Sequence, residues 1–136
     1  MFKVALSGDF LKDDGTFAYP DIDLNLLNHK NIEWKIIDTS PEIESEELEG
    51  YDALILLGHR FTKNSVPKDK KLSVISRFGV GYDSVDLDAC NDNSIALVIT
   101  PDGIRRPVAV SVMAFILSLT GNMFIKDKIT RNGEWD

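Results

Sequence analysis

Short apolar runs alternate with polar stretches along the first hundred residues. The runs are rich in β-branched side chains and occupy residues 2–6, 32–38, 52–57, 72–78 and 95–99. Such runs, separated by polar stretches that suit helices, are typical of βαβ units. In DALILLG and LSVISRF apolar residues follow one another directly, as in strands that are covered on both faces. The pattern predicts an α/β domain with a parallel sheet.

The last third of the chain has a different pattern, because residues 107–125 contain no charged side chain. Basic residues flank this stretch: Arg105, Arg106, Lys126 and Lys128. A membrane-spanning helix needs about 20 predominantly apolar residues, so one interpretation is a transmembrane helix. Ser111, Asn122 and the α/β segment before them favour instead a helix that another domain or subunit covers. Pro107 suits the first turn of such a helix.

The composition excludes several classes of protein. With 136 residues, 43% of them hydrophobic, the chain can bury a core, which excludes fibrous and disordered classes. The single cysteine, Cys90, excludes an intramolecular disulfide and a thiolate zinc cluster. No charged-then-apolar leader precedes the first run, so we expect a cytoplasmic protein. The net charge of −7 and the pI near 4.8 argue against nucleic acid as a partner.

The charge is unevenly distributed along the chain. Residues 1–58 carry thirteen acidic and four basic side chains, whereas residues 59–136 carry nine and eleven. We therefore expect any anion site in the second half. The densest acidic stretch, residues 42–49, predicts either a cation patch or a solvated helix face. We favour the helix face, because the stretch lacks the Asp/Asn/Gly spacing of a calcium loop.

Two glycines follow the predicted strand 72–78 within the segment RFGVGYDSVDLDAC, residues 77–90. Open α/β sheets bind ligands at the carboxyl edge of their strands, where Gly79 and Gly81 are expected. Without side chains at these positions, backbone N–H groups can approach a carboxylate or phosphate closely. The residues alone leave two interpretations open, an anion site and a tight turn without a ligand.

The same glycines imitate a dinucleotide fingerprint, Gly79-x-Gly81-x-x-Ser84, with Asp102 about 20 residues further on. We reject this interpretation, because VDLDACNDN leaves room for only about two helical turns. The next predicted strand also ends in Thr100 instead of an acid.

Other candidate groups are few. His29 and His59 have no ligand-spaced partner, so we expect neither a metal site nor a nucleophile that pairs Cys90 with a histidine. Arg60 follows strand 52–57 at the same sheet edge as the glycines. It predicts either a bidentate contact to an anion or a solvated loop arginine.

Four successive segments carry a resemblance to a known family: RFGVGYDSVDLDAC, SIALVITPDGIRRPVA, the long apolar stretch and KDKITRNGEWD. Together they resemble the D-isomer-specific 2-hydroxyacid dehydrogenases, the group of D-lactate, glyoxylate/hydroxypyruvate and phosphoglycerate dehydrogenases. The resemblance implies that residues 1–100 are a flavodoxin-like substrate-binding lobe, a doubly wound five-stranded sheet of order 2-1-3-4-5. Residues 101–136 would be a protruding apolar helix and the lead-in to a nucleotide-binding lobe.

The resemblance also implies roles for individual residues. The main-chain N–H groups of Val80 and Gly81 would hold the substrate carboxylate, with Gly79 shaping the bend. Arg60 would contact the substrate, as in phosphoglycerate-type members, and Thr100 would lie near the bound cofactor. One departure is visible: the family's VAE at the start of the long helix reads VAV at residues 108–110. The lost carboxylate puts a helix-start hydrogen bond or an inter-lobe contact in doubt.

The family's phosphate loop and its catalytic arginine, acid and histidine lie in the second lobe, so no catalytic residue is expected among these 136. The resemblance implies a truncated chain that binds no cofactor by itself, whereas the intact enzyme uses NAD or NADP. The expected function is an oxidoreductase acting on the CH–OH group of small D-2-hydroxyacids. The alternative is a non-catalytic module that binds a small acid or pairs with another chain. A lobe of about 100 residues cannot cover the helix 107–125, so we expect a homodimer through it, without a membrane partner.

Overall fold

All five predicted runs form strands of one parallel sheet. The computed structural model describes residues 1–134. The strands are β1 (Phe2–Leu6), β2 (Ile32–Ile36), β3 (Ala53–Leu56), β4 (Val74–Arg77) and β5 (Ala96–Ile99). Their order is β2-β1-β3-β4-β5 and every pairing is parallel. The predicted fold class is therefore confirmed.

The connections contain less helix than the sequence predicts. The connection from β1 to β2 holds two 3-10 turns, Gly8–Phe10 and Leu24–Leu27, and the next two connections hold one each, Ser45–Leu48 and Lys63–Ser65. The connection from β4 to β5 holds the short helix α1, Leu87–Asp92. The prediction of a solvated helix face at residues 42–49 is wrong, because only one turn forms there. Glu44 and Glu47 close that turn as a capping box, and Gly50 reverses the chain with φ +84°.

The sheet is covered on both faces, which explains the consecutive apolar residues of its strands. Leu54 and Leu56 of β3 are fully buried in one cluster together with Phe61, whereas Ile55 packs into the other. Phe10 is the largest buried side chain of that second cluster. Alternate residues of one strand thus reach opposite layers.

Residues 101–134 form helices α2 (Asp102–Thr120) and α3 (Met123–Arg131), so the prediction of one helix over 107–125 is wrong at both ends. The chain breaks at Asn122, which adopts the left-handed conformation with φ +51°. Pro107 lies inside α2 and not in its first turn, so it has no N–H to donate to the Gly103 carbonyl. Val110 likewise lies in the helix interior, where no helix-start hydrogen bond is needed.

Helix α2 exposes apolar side chains around its circumference. By length and composition alone it could cross a membrane. None of its residues is buried, and Phe115 and Leu119 are 67% and 69% exposed. The chain divides into the compact units Met1–Thr100 and Pro101–Asp136, and α2 belongs to the second.

Candidate functional site

The carboxyl ends of β1, β3, β4 and β5 lie along one edge of the sheet, because all their pairings are parallel. The chain leaves β1 toward β2 on one side and later returns to form β3 on its other side. Such a reversal opens a crevice beyond the strand ends, where α/β folds bind ligands. Every site residue predicted from the sequence follows β3, β4 or β5 at this edge.

The glycine turn, residues 79–81, is fixed to the end of β5. The Thr100 N–H donates to the Gly79 carbonyl at 2.9 Å, and the Gly79 N–H donates to the Arg77 carbonyl at 2.9 Å. Gly79 has φ +149°, and a Cβ at this position would lie 2.5 Å from Arg77 Nη1. The backbone conformation therefore favours glycine at position 79, and a side chain there would also displace the Arg77 guanidinium.

Two adjacent donors of the turn are unoccupied within residues 1–134. The N–H groups of Val80 and Gly81 have no acceptor there, and both residues are exposed. A Cβ at Gly81 would meet only Asp83 Oδ2, at 3.7 Å, so the backbone is open to an approaching ligand. Neighbouring N–H groups without side chains in front of them suit the two oxygens of a carboxylate.

Arg77 is a residue of this edge that the sequence reasoning missed. Its guanidinium lies against Gly79 and donates to the Phe78 carbonyl. Its Nε is buried without a hydrogen-bond partner, and no carboxylate of the described chain lies within 4 Å of it. An unpaired cation beside two free N–H groups adds positive potential where an anion would bind. An arginine that ends the otherwise apolar run LSVISRF was the available signal.

Arg60 lies on the neighbouring segment, but its charge is already paired. Arg60 Nη1 is 3.6 Å from Glu42 Oε2, and 66% of the Arg60 side chain is exposed. The next residue, Phe61, bridges to Val85 and donates its N–H to the Ser84 carbonyl at 2.8 Å. The segment that carries Arg60 therefore runs beside the loop that begins with the glycine turn.

A polar network at the ends of β1 and β3 holds this segment in place. The Asp9 carboxylate accepts the Ser7 hydroxyl at 2.6 Å and the backbone N–H groups of Gly58 and His59 at 2.7 and 3.0 Å. His59 Nδ1 lies 2.8 Å from Thr39 Oγ1. His59 thus has polar partners that its sequence neighbours did not indicate, because they come from β1 and from the segment after β2.

Thr100 and Cys90 have different surroundings. Thr100 donates its hydroxyl to the Arg77 carbonyl at 3.4 Å and lines a largely apolar cavity of about 350 Å³ with Phe10 and Phe78. Cys90 is buried in α1, and this burial raises the pKa of its thiol, with the Asp86 carboxylate adding to the shift. A thiol with a raised pKa is a poor nucleophile at neutral pH.

One family model matches most of the chain. Residues 16–112 match the family described as D-isomer specific 2-hydroxyacid dehydrogenase, catalytic domain. The chain belongs to this family. The matched range contains the glycine turn, Arg60, Arg77 and Thr100, whereas Asp9 precedes it. The resemblance found in the sequence is thus confirmed.

Curated relatives and solved structures agree with the family assignment. The chain is 27% identical over 125 residues to glyoxylate reductase of Pyrococcus furiosus, covering 88% of this chain and 37% of the relative. It is 33% identical over 92 residues to D-3-phosphoglycerate dehydrogenase of Methanocaldococcus jannaschii, covering 67% and 18%. The fold matches D-lactate dehydrogenase of Aquifex aeolicus, complexed with NAD and lactic acid, with a TM-score of 0.74 at 19% identity. That match covers 98% of this chain and 38% of the enzyme. The chain therefore spans less than two fifths of the length of these dehydrogenases.

The helix that follows the glycine turn is shorter than the one that a dinucleotide fingerprint opens. The turn after β4 leads into α1, which has only six residues. The Asp86 carboxylate caps that helix by accepting the Ala89 N–H at 2.9 Å. A pyrophosphate would meet this negative charge where it needs free N–H groups. Within residues 1–134, this turn therefore lacks the free helix N-terminus on which a dinucleotide fingerprint places its pyrophosphate.

Proposed function

We propose that this chain is the substrate-binding lobe of an NAD- or NADP-dependent oxidoreductase that acts on the CH–OH group of small D-2-hydroxyacids. The observation that carries the proposal is the pair of unoccupied N–H groups at Val80 and Gly81, beside the unpaired Arg77 guanidinium. Membership in a family of 2-hydroxyacid dehydrogenases supports a 2-oxo or 2-hydroxy acid as the anion. The glyoxylate and phosphoglycerate relatives mark the range of substrates to test.

The lobe would bind and orient the substrate. The Val80 and Gly81 N–H groups would donate to the two carboxylate oxygens, and Arg77 would lower the cost of removing that carboxylate from water. A carboxylate held at both oxygens fixes the plane of a 2-oxoacid, which presents its C2 atom in one orientation. The resemblance assigns hydride and proton transfer to groups of the family's second lobe, and the acid or arginine that selects NAD or NADP belongs to that lobe as well. Thr100 is our candidate for a cofactor contact.

The first experiment measures ligand binding by the 136-residue polypeptide. Glyoxylate and oxalate are titrated while the backbone ¹H–¹⁵N resonances are recorded. We expect saturable shifts confined to the glycine turn and its neighbours, led by Val80 and Gly81. Shifts spread evenly over the surface, or no shifts at all, contradict the proposal. Turnover of glyoxylate or hydroxypyruvate with NADH by this polypeptide contradicts a purely substrate-binding role.

The proposal also covers the localisation and the partners of the protein. We propose a cytoplasmic protein that pairs with a second copy through the apolar segment 107–125 and binds neither membrane nor nucleic acid. The exposed apolar surface of α2 supports pairing, and the net charge of −7 supports the absence of nucleic acid. A non-catalytic module that only binds a small acid or a partner chain is the remaining alternative. Such a module would show the same amide resonance shifts when it binds the ligand. Joined to a nucleotide-binding lobe, it would not turn over substrate.

A further inference from the structure

The ion pair between Glu42 and Arg60 is built by the backbone. Arg60 and Glu42 occupy opposite positions of a parallel β-bridge. The Arg60 N–H donates to the Pro41 carbonyl at 2.8 Å, and the Ile43 N–H donates to the Arg60 carbonyl at 2.9 Å. These two bonds hold Glu42 across from Arg60 whatever the conformation of their side chains. Glu42 is therefore a fixed neighbour of Arg60.

The Glu42 side chain is also held from a second direction. Thr62 donates its hydroxyl to Glu42 Oε1 at 3.3 Å, while Oε2 lies 3.6 Å from Arg60 Nη1. Glu44 and Glu46 line the same surface groove as Glu42. Glu46 has its own cation, because Lys68 Nζ lies 2.9 Å from its carboxylate. Glu42 is thus the carboxylate of this segment that pairs with Arg60.

We propose that Glu42 is a specificity-determining residue that makes the site select acids with one negative group over acids with a second one, such as a phosphate. This inference rests on the proposed function, in which the substrate carboxylate lies at the glycine turn. A second anionic group that reaches Arg60 competes with the Glu42 carboxylate for the guanidinium and is repelled by the Glu42 charge. A substrate without a second anionic group places no charge near Glu42, so its affinity does not depend on Glu42.

The test compares two ligands on the 136-residue chain and on its Glu42→Gln variant. Glyoxylate carries one negative group and 3-phosphoglycerate carries a carboxylate and a phosphate. Dissociation constants are read from the Val80 and Gly81 amide resonances at low ionic strength. Unit charges about 4 Å apart in water interact by about 1 kcal/mol. We therefore expect Glu42→Gln to tighten 3-phosphoglycerate about fivefold and to change glyoxylate by less than twofold.

Two further variants separate this role from a general effect of charge. Glu46→Gln removes one negative charge from the same segment, but that charge is paired with Lys68, so the preference should stay unchanged. In the double variant Glu42→Gln, Arg60→Ala the affinity for 3-phosphoglycerate should fall below that of Glu42→Gln alone, because the freed cation is absent. Equal tightening by Glu42→Gln and Glu46→Gln overturns the proposal, and so does an unchanged preference in Glu42→Gln.

The same data distinguish this inference from the proposed function. Binding of glyoxylate at the glycine turn with an unchanged preference in Glu42→Gln defeats the role of Glu42 alone. If neither ligand shifts the Val80 and Gly81 amides in any variant, the proposed function fails and the role of Glu42 fails with it.

Discussion

Single residues decide what the carboxyl edge can bind, and the two glycines of the turn do so for different reasons. Gly79 is fixed by its positive φ and by the Arg77 guanidinium beside it. Gly81 has ordinary backbone geometry and open space in front of it. A side chain at position 79 therefore strains the fold, whereas one at position 81 covers the donors.

Replacement of Gly81 by valine should abolish binding while the protein stays folded. The new side chain would stand between an incoming carboxylate and the main-chain donors. Oxalate affinity per folded molecule, from calorimetry combined with circular dichroism, checks this expectation. Gly79→Val is the matched control, and it should instead lower the free energy of unfolding by about 1–3 kcal/mol through backbone strain. Normal oxalate affinity of folded Gly81→Val protein would mean that the segment is only a turn.

The thiol of Cys90 should be inert in the folded chain. Burial raises its pKa above the usual value of 9.0, so the folded state binds its proton more tightly than the unfolded state. The stabilisation from this residue is present below pH 9 and declines as the pH rises through the folded pKa. A colorimetric thiol assay should give slow labelling in buffer and fast labelling in guanidinium chloride. Equal rates in both solutions would contradict the buried position.

At the scale of elements, the sequence predicts strands well and their connections poorly. Consecutive apolar residues mark β3, because a strand covered on both faces favours apolar side chains at every position, and the apolar pair Val74 and Ile75 begins β4. The acidic segment 42–49 has helix-forming composition, but Gly50 ends it after one turn and its charges pair with Arg60 and Lys68. Such pairing comes from distant parts of the chain, so local propensity does not reveal it.

Helix α2 should mediate dimer formation. Val108, Val112, Phe115, Ile116 and Leu119 recur at helical spacing, and Phe115→Glu would place a charge among them. We expect this variant to be monomeric by light scattering at tens of micromolar. Met113→Glu, a similar charge about 160° around the helix, should leave the dimer intact. A monodisperse wild-type monomer contradicts the prediction, whereas extraction that depends on detergent favours a membrane-spanning helix.

At the scale of the whole molecule, the glycine turn is predictable and the charges around it are not. The segment RFGVGYDSVDLDAC alone predicts Gly79 and Gly81, and Thr100 follows from the family resemblance. Arg77 and Glu42 were missed as site residues, because their importance depends on an unpaired buried atom and on a bridge between distant segments. Local motifs thus predict the candidate site, whereas tertiary contacts set the charges around it.

The 136-residue chain should neither bind NADH nor reduce 2-oxoacids. The glycine turn, residues 79–81, leads into a six-residue helix that is capped by Asp86, which disfavours a pyrophosphate. Calorimetry with NADH and absorbance at 340 nm with glyoxylate check the two parts. Micromolar NADH affinity would revive the dinucleotide interpretation of the Gly79 turn.

The hydrogen bond from Thr100 to Gly79 has a consequence for folding cooperativity. It makes the glycine turn the last rung of the β4–β5 ladder, because the N–H that fixes Gly79 comes from the residue directly after β5. In native-state hydrogen exchange the Thr100 amide should therefore open together with the amides of β5, as one unit. A polypeptide that ends at residue 99 would keep all five strand sequences and still lose the ordered turn.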